Sequence, residues 1–183
     1  MSSRDVVLGR IRAALGAGGT PVPVPRSYRR GGGPADLGLL VDRLTDYRAE
    51  VHRCAESEVP DVIAKLLPEG AAVVVPPGLP ADWLPPTLDV SPDHGLEPAR
   101  IAAADGVVTA ATVAVAETGT IVLDGSPDQG RRILSLLPDL HVCVLRPDQV
   151  VASVPEALAR LDPRRPLTWI SGPSATSDIE LNR

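Results

Sequence analysis

The sequence predicts an α/β domain built on a mixed, mostly parallel sheet flanked by helices. Three observations predict it. Short aliphatic and β-branched runs, "AAVVVP", "GVVTA" and "HVCVL", read as strands buried on both faces. Segments with helical spacing and helix punctuation lie between them, so helices alternate with strands. One tight turn at 117–119, within "VAVAETGTIVLDG", joins two apolar runs directly and makes the sheet mixed rather than purely parallel.

The elements follow in order. Residues 3–15 read as a helix capped by Ser3, with Val7, Ile11, Ala14 and Leu15 on one face and Gly16 as the stop. The stretch 16–34, "GAGGTPVPVPRSYRRGGGP", predicts an extended, mobile linker, so 1–15 is an arm and 35–183 the globular α/β domain. Asp36 leads into a helix carrying Leu37, Leu40, Val41 and Leu44. Residues 50–54 read as a strand. Pro60 opens a helix running to Leu67, with Pro68 and Gly70 ending it. A buried strand in "AAVVVP" ends at Pro76-Pro77-Gly78, and a Pro-rich excursion over 76–95 contains Trp83 and a short strand at 88–90. A helix over 97–104 precedes the strand "GVVTA", and the turn segment follows, with a run to Ala116 and a strand over 120–123. Residues 131–137 read as helical, 141–145 as a strand, 155–161 as a helix and 167–171 as a strand. "GPSATSDIEL" then reads as a loop entering a helix.

With 183 residues the chain has room for one domain with a single core. There is no Phe, so that core is built from Val, Leu, Ile and Ala. A net charge of −5 argues against a broad nucleic-acid surface, and the cluster Arg26, Arg29 and Arg30 has no aromatic platform beyond Tyr28. No apolar run approaches the ~20 residues of a membrane span. Arg4, Asp5, Arg10 and Arg12 interrupt any signal-peptide pattern, so the expected location is cytoplasmic. Cys54 and Cys143 are isolated and cannot supply a four-thiolate cluster. His52, His94 and His141 are scattered without metal-ligand spacing, and no metal or cofactor is expected in this chain.

Two segments can carry chemistry. In "ISGPSATSDIE" a buried strand ends at Ser171, Gly172-Pro173 turns the chain, and Ser174, Thr176 and Ser177 crowd a helix start. Free backbone N–H groups and hydroxyls at such a junction suit a phosphate or carboxylate, although a plain helix cap with Asp178 complementing the dipole explains the same residues. In "AETGT", Gly119 supplies a permissive turn position. The apolar flanks Val113, Val115, Ile121, Val122 and Leu123 place Glu117 at the mouth of the core, where burial would raise its pKa and suit it as nucleophile, base or ligand anchor. An exposed hairpin tip is the plainer alternative. Arg131 and Arg132 open a helix, against its dipole, which an anion, a nearby carboxylate or solvent exposure would explain.

"AVAETGTIVLD", then "GRRILSLLPDLHVCVL", then "ISGPSATSDIE" resemble, in order and spacing, the lactate-utilisation protein C family, the LUD domain. The resemblance covers the chain from about residue 35, and "RDVVLGRIRAAL" is similar to the family's opening. It implies a fold similar to ribose-5-phosphate isomerase and the CoA transferases. It also implies a role in oxidising L-lactate to pyruvate beside two partner proteins carrying iron–sulfur clusters. By that carry-over, Glu117 is the candidate catalytic residue. Thr118, Gly119 and Thr120 would face Ser171, Gly172, Pro173, Ser174 and Thr176 across a pocket, with Arg131 and Arg132 as ligand contacts and Asp178 and Glu180 at or behind its wall. The family continues past this point with a Gly-Val-His-Gly-Pro-like segment and a final strand, so a truncated C-terminal end is expected at Asn182-Arg183.

Three functions compete. The preferred one is an accessory subunit of a lactate-oxidising complex that binds a small carboxylate, a cofactor or its partners, and such a subunit should expose an apolar patch near the arm. A stand-alone isomerase or CoA-transferase-like enzyme needs an anion-lined cleft with Arg131 or Arg132 within reach. A non-catalytic scaffold is favoured if Glu117 points into solvent.

Overall fold

The structure, a computed structural model, describes residues 2–16, 23–25, 27, 31 and 33–172. Helix α1 spans Ser3–Leu15. Its cap is Ser2 rather than Ser3, because Asp5 completes a reciprocal box: the Ser2 hydroxyl accepts from the Asp5 N–H, and the Asp5 carboxylate accepts from the Ser2 N–H at 3.0 Å. Most of the expected linker lies outside the described residues, as does the expected loop and helix entry after Gly172.

The remaining helices are α2 (Leu37–Asp46), α3 (Val59–Leu66), α4 (Pro98–Ala102) and α5 (Val154–Arg160). The strands are β1 (Ala72–Val75), β2 (Asp89–Pro92), β3 (Gly106–Ala110), β4 (Val113–Val115), β5 (Thr120–Leu123), β6 (His141–Val144), β7 (Val150–Val151) and β8 (Thr168–Ile170). The mixed α/β class holds, with the strands divided between two sheets. One is all-parallel in the order β2-β1-β3-β6, and the other, β7-β4-β5-β8, carries the antiparallel hairpin β4–β5.

The chain passes from one sheet to the other across Ala111 and Thr112. Main chain and side chains satisfy the polar groups there: the Thr112 N–H donates to the Val122 carbonyl at 2.9 Å, the Gln149 amide donates to the Ala111 carbonyl at 2.6 Å, and the Thr112 hydroxyl bonds Gln129. Gln129 and Gln149 thus brace the crossing between the sheets.

Each sheet is covered on both faces. Val73, Val75 and Val108 pack under α3 through Ile63 and Val59, with Trp83 filling the same cluster. The opposite face, Val74 and Val107, meets Ile101 of α4 and Leu134. In the second sheet Val113, Val115 and Val122 meet Ala157 of α5, whereas Ala114 and Ala116 meet Leu40 of α2. Strand alternation sends the valines of β4 to one helix and the alanines to the other, and the small residues let α2 sit close to the hairpin.

Two expectations are corrected, and one strand was not foreseen. Residues 50–54 form no strand: Arg48 turns the chain with φ of 63°, and only Val51 of the segment is partly buried, so there is no buried face to pair. The helix expected over 131–137 is a single 3-10 turn, Arg132–Ser135, with only Leu134 buried. β7 escaped the sequence reading because two residues are too few to show a period.

Candidate functional site

The turn between β4 and β5 is held from three sides. The Ala116 and Glu117 N–H groups donate to the carbonyls of Val151 and Ala152, at 2.9 and 3.2 Å. Gly119, with φ of 64°, makes the reversal; a Cβ there would stand 2.6 Å from Cβ of Arg43 and 3.2 Å from Cε2 of Tyr47. Glycine is therefore required both by backbone conformation and by the approach of α2. The Tyr47 hydroxyl donates to the Thr118 carbonyl at 3.0 Å.

Because β5 starts where β8 ends, with Ile121 opposite Ile170, the turn lies beside Ser171 and Gly172. The Thr118 and Thr120 hydroxyls are 2.7 Å apart, and the Thr120 hydroxyl also bonds that of Ser171. Thr120 is buried. The antiparallel pairing thus joins two of the sequence segments that could carry chemistry, and Thr118, Gly119, Thr120, Ser171 and Gly172 share one place. Pro173, Ser174, Thr176, Asp178 and Glu180 lie outside the described residues.

Glu117 departs from its expected setting. It is exposed, because it lies in the turn between the end of β4 and the start of β5 rather than among the buried strand residues. Arg131 is also explained differently. Its guanidinium grips the Asp93 carboxylate through two bonds of 2.7 and 2.6 Å and donates to the Leu96 carbonyl at 2.9 Å. The nearby-carboxylate explanation of its position is the one the geometry supplies. Arg132 is exposed. The Arg131 hydrogen bond, aided by the Leu96 and Gly95 N–H groups, holds the Asp93 carboxyl below the usual carboxylate range against the opposing effect of burial. The Asp93 side chain is 1% exposed while that of Arg131 is 47% exposed. Replacing Asp93 with Asn leaves a carbonyl for the two N–H groups but removes the charge, so we expect a loss of about 1–2 kcal/mol in urea unfolding.

The sequence reading missed Tyr47, the residue that touches both segments. The only signal was a lone tyrosine at the end of a predicted amphipathic helix.

A second polar group sits where β3 and β6 pair. The Thr109 hydroxyl and His141 Nε2 are 2.8 Å apart. Burial lowers the His141 pKa to about 4, so the ring is neutral near pH 7. Burial pushes the Cys143 thiol up to about 12, despite a hydrogen bond from Thr109 that acts the other way. Neither side chain is tuned for acid–base or thiolate chemistry at neutral pH. Among the described residues no three His, Cys, Asp or Glu side chains are grouped to hold a metal, and no helix is long and apolar enough to cross a membrane.

Comparison with known proteins gives consistent relatives. The LUD domain family model matches residues 98–183. The chain is 47% identical over 168 residues to the lactate utilization protein C of Deinococcus radiodurans, spanning 89% of this chain and 78% of that protein. It is 33% identical over 96 residues to the lactate utilization protein C of Shouchella clausii, spanning 49% of this chain and 41% of that protein. The crystal structure of a DUF162 family protein from Deinococcus radiodurans superposes with a TM-score of 0.71 at 46% identity, covering 74% of this chain and 86% of that one.

Proposed function

The chain belongs to the LUD-domain, lactate utilization protein C family, and from that premise we propose that it serves in lactate utilisation as an accessory subunit. In this reading it works beside iron–sulfur proteins in oxidising L-lactate to pyruvate and binds a small carboxylate or phosphate itself. The observation that carries the ligand is the meeting of Thr118, Thr120 and Ser171, three hydroxyls from two distant segments linked at the end of a sheet. Hydroxyls held by buried backbone are pre-oriented donors for an oxyanion. Glu117, exposed beside them, would contact the bound group or a partner; Pro173, Ser174, Thr176 and Asp178, the other expected ligand contacts, lie outside the described residues.

The arm supports partner binding. None of the α1 side chains is buried, and Val7, Ile11 and Leu15 are 54%, 48% and 70% exposed. A helix of this length is marginal in water unless its apolar stripe is covered. For the isomerase or CoA-transferase reading, Arg131 is engaged with Asp93, which leaves the exposed Arg132 as its expected anion contact. The scaffold reading has one observation in its favour, the exposure of Glu117.

Reconstitution with the proteins encoded beside this chain separates these readings. Lactate-dependent dye reduction should require all components, and Glu117→Ala should lower it about tenfold or more while the complex still forms. An intact complex with undiminished activity and unchanged binding of L-lactate would leave the scaffold reading standing.

A further inference from the structure

We infer that Tyr47, just past α2, is a positioning residue that clamps the two walls of the site to each other. The inference rests on the reading that the β4–β5 turn and Ser171–Gly172 at the end of β8 form one ligand site, and it adds what holds them in register. The Tyr47 ring stands between two glycines. A Cβ at Gly172 would lie 3.2 and 3.4 Å from Cδ1 and Cε1, on one edge of the ring, and a Cβ at Gly119 would lie 3.2 Å from Cε2, on the other. Each wall approaches the ring as backbone, with no side chain between. The hydroxyl bond to the Thr118 carbonyl then fixes how deep the ring sits. Leu44, one turn earlier on α2, packs on the cluster of Leu40, Ala114 and Ala116, so the helix that carries Tyr47 is anchored on the core of the same sheet.

What this clamp sets is the hydroxyl chain. Thr118, Thr120 and Ser171 carry three hydroxyl protons, and their two mutual bonds use two of them. The third goes to an acceptor beyond these three, from Thr118, from Ser171 or, where both of those donate to Thr120, from Thr120 itself. Sliding one wall past the other by about an ångström breaks the Thr120–Ser171 bond, which alone of the two crosses between the walls, and separates the donors. Tyr47 thus acts on a ligand through Thr118 and Ser171, without touching it.

Hydrogen exchange on the full chain tests the clamp directly, with core peptides from β1 and β3 as internal controls. Tyr47→Phe keeps the wedge and loses only the hydroxyl bond, so exchange should rise about three- to tenfold in residues 117–120 and stay near wild type at 171–172. Tyr47→Leu should raise exchange about tenfold or more in both segments together while β1 and β3 keep their protection. Independent behaviour of the two segments in Tyr47→Leu, or a rise shared equally by the core, overturns the clamp. Titration with L-lactate and, separately, inorganic phosphate is the second arm. Failure of the wild-type chain to bind either probe counts against the ligand reading and leaves the clamp to be decided by exchange. If a probe binds, Tyr47→Phe should weaken it less than Tyr47→Leu, and equal affinity in all three proteins overturns the positioning role.

Discussion

Gly119→Ala is expected to destabilise the domain by about 2–5 kcal/mol, the sum of left-handed backbone strain and a forced displacement of α2. The added methyl carbon would stand 2.6 Å from Cβ of Arg43 and 3.2 Å from its carbonyl carbon, so a rotamer change alone cannot relieve the clash. Either the turn or the helix must shift, and both carry the candidate site. Gly70 is the natural control. It has φ of 76° but nothing within 4 Å of an added Cβ. Gly70→Ala therefore isolates the strain, and a loss of about 1–2 kcal/mol is expected. Urea unfolding measures both. Equal losses in the two variants would mean that α2 does not press on the turn.

Acidification gives the second large effect. His141 has a folded pKa of about 4, lowered by burial from an ordinary value of 6.5. Above pH 6.5 the ring is neutral in both states and costs nothing. As pH falls from about 6.5 towards 4, the unfolded chain takes up the proton while the folded chain refuses it, so the unfolded state is favoured progressively. Stability is therefore lost across that window, by about 2–4 kcal/mol, and the loss levels off below pH 4 once the folded ring also protonates. Unfolding free energies measured between pH 7.5 and 4 should fall with this slope in the wild type. His141→Gln offers an amide to Thr109 without titrating, and its curve should be flatter by the same amount. Parallel curves would assign the acid sensitivity over that range to other groups.

Much of the fold was legible because the signals were local. Asp36 before an apolar helical face, Pro60 at a helix start and the valine run of β1 each state their conformation within a few residues. The misreadings were also local. The segment 50–54 has one partly buried apolar side chain and no paired neighbour, and β7 is two residues long. Neither can be judged without knowing what lies beside it, since a strand is stabilised by its partner rather than by its own composition.

The candidate site divides in the same way. Gly119 was readable as a positive-φ turn, and the hydroxyls at 118, 120 and 171 as polar residues on strand ends. Glu117 was misplaced because the apolar residues around it suggested burial, whereas the turn carries it past the last core layer. The Arg131 partner, Asp93, lies 38 positions earlier and has no sequence cue.

By itself, then, the sequence determined the α/β class, most strand and helix positions, and the two segments worth examining, because capping, chain reversal and burial patterns are written in neighbouring residues. Tertiary structure alone decided that the strands form two sheets, that Thr120 and Ser171 share a hydrogen bond, that Arg131 serves Asp93 and that Tyr47 wedges between Gly119 and Gly172. Each of these is a contact between residues far apart in the chain, fixed by strand register and by the approach of a helix to a sheet, and no local pattern encodes it.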